Sequence, residues 1–174
     1  MNRLVLDQLE LGPADDVLEV GFGGAALLAT IRAATLGRVY GVDLSADAVA
    51  RAKRRLGEGV TLYEASVEAI PLPDGSVDKA CSVSNIYFWS DPAAAMLELG
   101  RVTRPGGTLS ICFEPPEELR KWSGHRHGFR LFEEEEVQAL MEQAGFRSIR
   151  SIEGRGRKPD LFVCLTGERA ETLA

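Results

Sequence analysis

Glu19, Gly21, Gly23 and Asp43 are the residues whose types and spacing first suggest chemistry in this chain. Three of them lie in VLEVGFGGAALL, Val17 to Leu28, where an apolar run breaks into glycines and then into a helix-like pattern. Glycines after a strand let the chain turn tightly and let backbone N–H groups approach a ligand with no side chain between. Asp43 follows Gly23 by 20 residues and closes a second apolar run. A carboxylate there can accept hydrogen bonds from both hydroxyls of a ribose. Loop and acid together point to a ligand built on adenosine.

Two such ligands fit the loop. Gly21-x-Gly23-x-x-Ala26 satisfies the dinucleotide fingerprint, whereas Glu19-x-Gly21-x-Gly23 suits a loop around S-adenosylmethionine. Glu19 separates them. A pyrophosphate at a helix N-terminus wants positive potential, and a carboxylate two residues before the first glycine opposes it. S-adenosylmethionine carries an ammonium and a sulfonium, which a nearby acid attracts. With 174 residues, the chain is also short for a dehydrogenase, which needs a second region for its substrate. The balance favours S-adenosylmethionine.

These residues need a sheet to hold them. Short apolar strands alternate with helical segments, the pattern of a doubly wound α/β domain. Strands are expected at Asp16 to Val20, Arg38 to Val42, Val60 to Glu64, Val77 to Val83 and Thr108 to Glu114. Helices are expected at Gly24 to Leu36, from Ser45 as cap to Leu56, from Asp91-Pro92 to about Val102, and at Glu133 to Gly145. Arg104 to Gly107 reads as the turn into the fifth strand. Ser148 to Glu153 and Asp160 to Thr166 flank a connection too short for a crossover helix, so this pair is expected to be antiparallel. The expected fold is a Rossmann-like sheet of seven mainly parallel strands with an antiparallel C-terminal hairpin strand, in a single domain over 1–174.

Composition narrows the partners. A hydrophobic share of 45% suits a packed globular core, and a net charge of −6 disfavours nucleic acid or an anionic membrane. Without a signal-peptide pattern, a cytoplasmic location is expected. Cys81, Cys112 and Cys164 sit in strand-like runs and read as buried free thiols. No metal-ligand spacing occurs, so no metal is expected.

The motifs in order resemble the class I S-adenosylmethionine-dependent methyltransferases, in particular the small-molecule group with the type 11 pattern. VLEVGFGGA is similar to that family's first motif and GVDLS to its ribose motif. ASVEAIPLPDGSVD, NIYFWSDP, RVTRPGGTL and AGF follow in the family's order. The resemblance implies methyl transfer by in-line displacement, with S-adenosylhomocysteine as product. It also implies that Glu19, Gly21, Phe22 and Gly23 surround the methionine part of the cofactor. Asp43 would hold the ribose, Leu44 would lie against the adenine, Ser66 and Val67 would read its edge, and Asn85 and Ile86 would line the donor end. Three departures stand out. Ala25 replaces a common third glycine and is expected at negative φ near the helix start. Ser66 replaces a common aspartate. The short lead-in before the first strand leaves a minimal N-terminal lid, compatible with a homodimer that completes the enclosure.

The acceptor is read from Tyr87, Phe88 and Trp89 together with Leu119 to Phe132. Tyr87, Trp89, Trp122 and Arg126 are candidate contacts to a small-molecule acceptor, although at least two of the three consecutive aromatics should belong to the core. His125 and His127 are candidate general bases, with solvated loop histidines as the simpler reading. Arg120, Lys121, Arg126 and Arg130 make this segment basic, which suggests a cap favouring an anionic acceptor. A non-catalytic binding module acting through a partner, and a nicotinamide dehydrogenase, remain the alternatives.

Overall fold

The computed structural model describes residues 1–122, 129–156 and 160–171. Seven strands form one sheet: β1 (Val17–Val20), β2 (Val39–Asp43), β3 (Thr61–Glu64), β4 (Val77–Val83), β5 (Thr103–Phe113), β6 (Phe146–Arg155) and β7 (Leu161–Arg169). Their order is β3-β2-β1-β4-β5-β7-β6. All pairs from β3 through β5 are parallel, while β7 runs antiparallel to both β5 and β6. Strand order therefore reverses between β1 and β4, the switch point beyond which α/β sheets bind ligands.

Helices cover both faces. Leu18, Val20, Ala80, Leu109 and Ile111 pack beneath α4 (Pro92–Val102) and α6 (Glu134–Gln143), through Met96, Leu99, Val137 and Met141. Val17, Cys81, Cys112 and Cys164 pack beneath α1 (Asn2–Leu9), α2 (Ala26–Ala34) and α3 (Ala46–Leu56). The three cysteines are free and buried, as their apolar surroundings required. Helix α1 buries Val5 and Leu9 in this layer, so its apolar stripe supports the sheet, and none of its residues lines the pocket described below.

Local chemistry sets the helix ends. The Ser45 hydroxyl accepts from the Ala48 N–H (3.2 Å), and Gly57 at φ 63° stops α3. Asp91 Oδ1 accepts from the N–H groups of Ala93 and Ala94 (3.1 and 3.0 Å) ahead of α4, with Pro92 in its first turn. Such caps contribute about 1 kcal/mol each. Both were legible as sequence.

At two bulges the strand boundaries differ from expectation. Arg104 to Gly107 is part of β5, which opens at Thr103 opposite Val77 and shifts register before Lys79. Gly106 at φ 75° and Gly107, whose Cβ would come 2.7 Å from the Asp78 carbonyl, let a bulged strand pass where a turn was expected. Strand β6 starts at Phe146, ahead of Ser148, because Ser148 at φ 52° sits in a bulge between Arg147 and Arg150. A bulge breaks the period-two pattern by which strands are read.

Candidate active site

At the end of β1 the chain turns through Gly21 at φ 69° and Gly23 at φ 45°. The Gly21 N–H donates to the Val42 carbonyl (2.7 Å), fastening the loop to β2. A Cβ on Gly21 would lie 2.0 Å from Asn85 Cγ, so glycine is required by conformation and by close approach. Asn85, just beyond β4, is itself held by Trp89, whose Nε1 donates to Asn85 Oδ1 (2.8 Å). The loop thus meets the β4 side of the switch point through a side chain lying over bare backbone.

Asp43 ties the other side. Its Oδ2 accepts from the Gly23 N–H (2.8 Å) and its Oδ1 from the Ser45 N–H (2.9 Å). Each carboxylate oxygen has a second lone pair available, and Asp43 lines the pocket. One residue therefore shapes the glycine loop and presents acceptors to a ligand.

Ala25 corrects an expectation. It stands as N-cap of α2 at φ 56°, in the left-handed region, not at negative φ. Its methyl is fully buried beside Phe22 and Leu28. A non-glycine residue in this conformation costs roughly 1–2 kcal/mol, which burial of the methyl partly offsets. The turn still closes, with the Ala25 N–H donating to the Phe22 carbonyl (2.7 Å).

Glu19 lies behind the loop rather than on the pocket wall. It is 4% exposed, the Leu28 N–H in the first turn of α2 bonds to its carboxyl group, and its Oε2 is buried with no partner. Burial, and then the charge of Asp43, push its pKa up to about 8. An acid of this chain thus occupies the helix N-terminus that a dinucleotide phosphate would use.

Beyond the strand ends lies a cavity of about 380 Å³, within the range of small-ligand sites. Gly21, Asp43, Leu44, Ser66, Val67 and Asn85 line it, and Trp89 stands on its wall at 6% exposure. Phe22 and Ile86 are buried in the two core layers, and Gly23 meets Asp43 only through its backbone. Val42, Ser45, Ala65, Glu68, Phe88 and Ser90 complete the wall. Of these, Glu68 had a readable signal: it stands in a turn two residues after Ser66, whose side chain caps that turn. The wall carries the carboxylates of Asp43 and Glu68 and, among the described residues, no lysine or arginine.

Next to the cavity the chain builds an aromatic cluster. Tyr87 and Trp89 are buried and Phe88 is 56% exposed, so two of the three aromatics belong to the core. Phe129 contacts Phe88 (4.6 Å between centroids), Tyr87 (5.8 Å) and Trp122 (5.1 Å, edge-on). The Tyr87 hydroxyl donates to Glu114 Oε2, and Ser84 Oγ donates to Glu114 Oε1 (3.2 Å). Burial and the adjacent Glu114 raise the Tyr87 pKa well above its usual range. His125, Arg126 and His127 lie outside the described residues. Lys121 pairs with Glu118 and Arg130 with Glu136, so two of the segment's four expected cations are already engaged with acids of this chain.

A family profile described as a methyltransferase domain, Methyltransf_11, matches residues 18–111, which span β1 to most of β5. The chain is 30% identical to an uncharacterized methyltransferase, YdaC, of Bacillus subtilis, over 99% of this chain and 93% of the relative. A crystal structure of a SAM-dependent methyltransferase from Aquifex aeolicus superposes with a TM-score of 0.79 at 26% identity, covering 96% of this chain and 88% of that one. A geranyl diphosphate methyltransferase in complex with SAM shares the fold at a TM-score of 0.82 and 16% identity, over 97% and 84% of the two chains.

Proposed function

The chain belongs to the S-adenosylmethionine-dependent methyltransferases of the Methyltransf_11 family, and from that membership we propose that its switch-point pocket binds S-adenosylmethionine for methyl transfer to a small organic acceptor. One observation carries the cofactor assignment. The wall offers Asp43 and Glu68 and no described cation, while Glu19 takes the first-turn amide of α2. That field suits a cationic ligand and opposes a pyrophosphate.

When bound, the cofactor supplies an activated methyl group and leaves as S-adenosylhomocysteine. The chain's own residues bind and orient. Gly21 leaves bare backbone against the ligand, Asp43 offers ribose acceptors, and Leu44, 74% exposed, gives an apolar surface for the base. The bare backbone of Gly21 and the Asn85 side chain beside it line the pocket where the methionine end of such a ligand would lie. Phe88, Phe129 and Trp122 form the acceptor wall and keep water from the reacting pair. With a nucleophile already neutral, positioning suffices; an acceptor that must lose a proton needs a base.

Among the described residues no helix is long and apolar enough to cross a membrane, and we place the protein in the cytoplasm. A thermal-shift experiment tests the cofactor assignment. S-adenosylhomocysteine should raise the melting temperature at saturating concentration while NAD should not. Stabilisation by NAD alone would overturn the assignment. Cofactor binding without turnover on a broad acceptor panel would favour the non-catalytic module.

A further inference from the structure

On the sheet face beneath α1, two pairs of buried residues on β5 and β7 set polar and sulfur atoms into an apolar layer. Ser110 stands opposite Thr166 in the antiparallel pair, and Cys112 stands opposite Cys164. All four are at most 2% exposed. Ser110 Oγ lies 3.1 Å from Cys164 Sγ and 2.9 Å from Thr166 Oγ1, and the Cys112 thiol hydrogen-bonds to Cys164. That bond, ahead of those from Ser110 and Thr166, brings the Cys164 thiol down to about 7 against the effect of burial, and it pushes Cys112 up. Cys81, opposite Ser110 on β4, is pushed up by burial and then by Glu19. Cys164 is thus the thiol able to lose its proton, and Cys112 is the one that faces it.

Directly opposite residues of an antiparallel pair have Cα atoms about 4.5 or 5.5 Å apart. Both values fall within the roughly 4.4–6.8 Å that a disulfide spans. Helix α1 covers the thiols. It packs on β4, β5 and β7, the strands that carry the three cysteines, with Val5 and Leu9 in the same layer. It is 8 residues long, with no side-chain cap at its N-terminal end, no acid in its first turn and no base in its last. A helix this short depends on its packing and opens before the sheet does.

We propose that Cys112 and Cys164 form a reversible oxidation site, closed to a disulfide by a hydroperoxide when α1 lifts from the sheet. The inference is independent of what the switch-point pocket binds. With hydrogen peroxide, the Cys164 sulfur attacks one oxygen, the O–O bond breaks, and water departs, leaving a sulfenic acid on Cys164. The Cys112 sulfur then displaces that hydroxyl as a second water, and the S–S bond forms. Two thiols give up two electrons and two protons, and one peroxide becomes two waters. A dithiol reverses the step by exchange.

The test exposes the full folded chain to hydrogen peroxide, blocks the remaining thiols with iodoacetamide in denaturant, and maps peptides by mass spectrometry. The chain should lose two hydrogens, the linked peptides should be those of Cys112 and Cys164, and dithiothreitol should restore the mass. Cys81→Ser should close the same link and Cys164→Ser should not. An unchanged mass, a link through Cys81, a link between two chains, or added oxygen without a link overturns the site. Leu9→Ala, which loosens α1, should speed closure by about tenfold or more. Met141→Ala, which loosens α6 on the opposite face, should leave the rate within about twofold. Equal rates in these two variants, whether both raised or both unchanged, overturn α1 as the cover.

Discussion

Around Gly21 and Asp43 the site is made of loop backbone held in place by a strand carbonyl and one carboxylate. Gly21 bonds to Val42, Gly23 to Asp43, and Asp43 back to Ser45, all within the β1–β2 end of the sheet. Around Phe88 and Phe129 it is made of side chains from separate segments: the turn after β4, the end of β5 at Glu114, and the stretch before α6. The first region admits few substitutions, because a Cβ or a lost carboxylate alters the loop that holds the ligand. The second is a packed surface whose identity can drift while the sheet beneath it stays. On the function proposed above, one half of the site fixes the cofactor, and the other is free to choose the acceptor.

The sharpest way to break this contrast is at Gly21. Gly21→Val imposes a β-branched residue at φ 69° and drives Asn85 from its place. The expected loss is about 3 kcal/mol, roughly a hundredfold in affinity for S-adenosylhomocysteine by calorimetry. Asp43→Ala should follow, weakening the same binding by at least about tenfold, since a charge-assisted hydrogen bond contributes roughly 1.5–3 kcal/mol. Asp43→Asn, which keeps one acceptor oxygen, should lose less. Equal affinity in all these proteins would erase the distinction between the two regions.

Glu19 gives a stability signature instead. Its pKa rises from an ordinary 4.5 to about 8 in the fold, so between those values the folded chain holds a proton that the unfolded chain has released. Stability therefore falls as pH rises from about 4.5 to about 8 and levels off above. Glu19→Gln should melt higher than the wild type at alkaline pH, by roughly 10 °C, with the gap closing toward acid. Parallel melting curves at both ends of that range would show that Glu19 does not titrate in this way.

The smallest effect belongs to the acceptor region. Trp122→Ala removes an edge-on partner of Phe129 that is 55% exposed and off the cofactor wall. Affinity for S-adenosylhomocysteine should stay within about twofold, while methylation of any acceptor found by screening should fall. A large loss of cofactor affinity in Trp122→Ala would join the two regions into one.

The contrast also governs what could be read from sequence. Loop glycines, the acid at the end of β2, and the caps at Ser45 and Asp91 are local signals, each fixed by a neighbour a few residues away or by one strand-to-strand step. They placed the strand ends with Gly21 and Asp43, while Leu44, Ser66, Val67 and Asn85 were expected from the family resemblance. Ala25 went astray because residue type alone opposes the left-handed backbone it adopts, buried in one cluster with Phe22 and Leu28. Glu19 was read as facing the ligand, yet β1 alternation turns it under the loop toward α2. Glu68 escaped notice because its partners, Ser90 and Asp91, lie 22 and 23 residues away. The bulges at Gly106 and Ser148 broke the strand period. Phe129 joined Phe88 and Trp122 only through the tertiary fold.

The most direct measurement is calorimetric titration with S-adenosylhomocysteine of the wild type, Asp43→Ala and Trp122→Ala side by side. One-to-one binding should be nearly equal in the wild type and Trp122→Ala and at least about tenfold weaker in Asp43→Ala. Absence of binding in the wild type, or equal affinity in all three, would contradict a cofactor held by the glycine-loop half of the site.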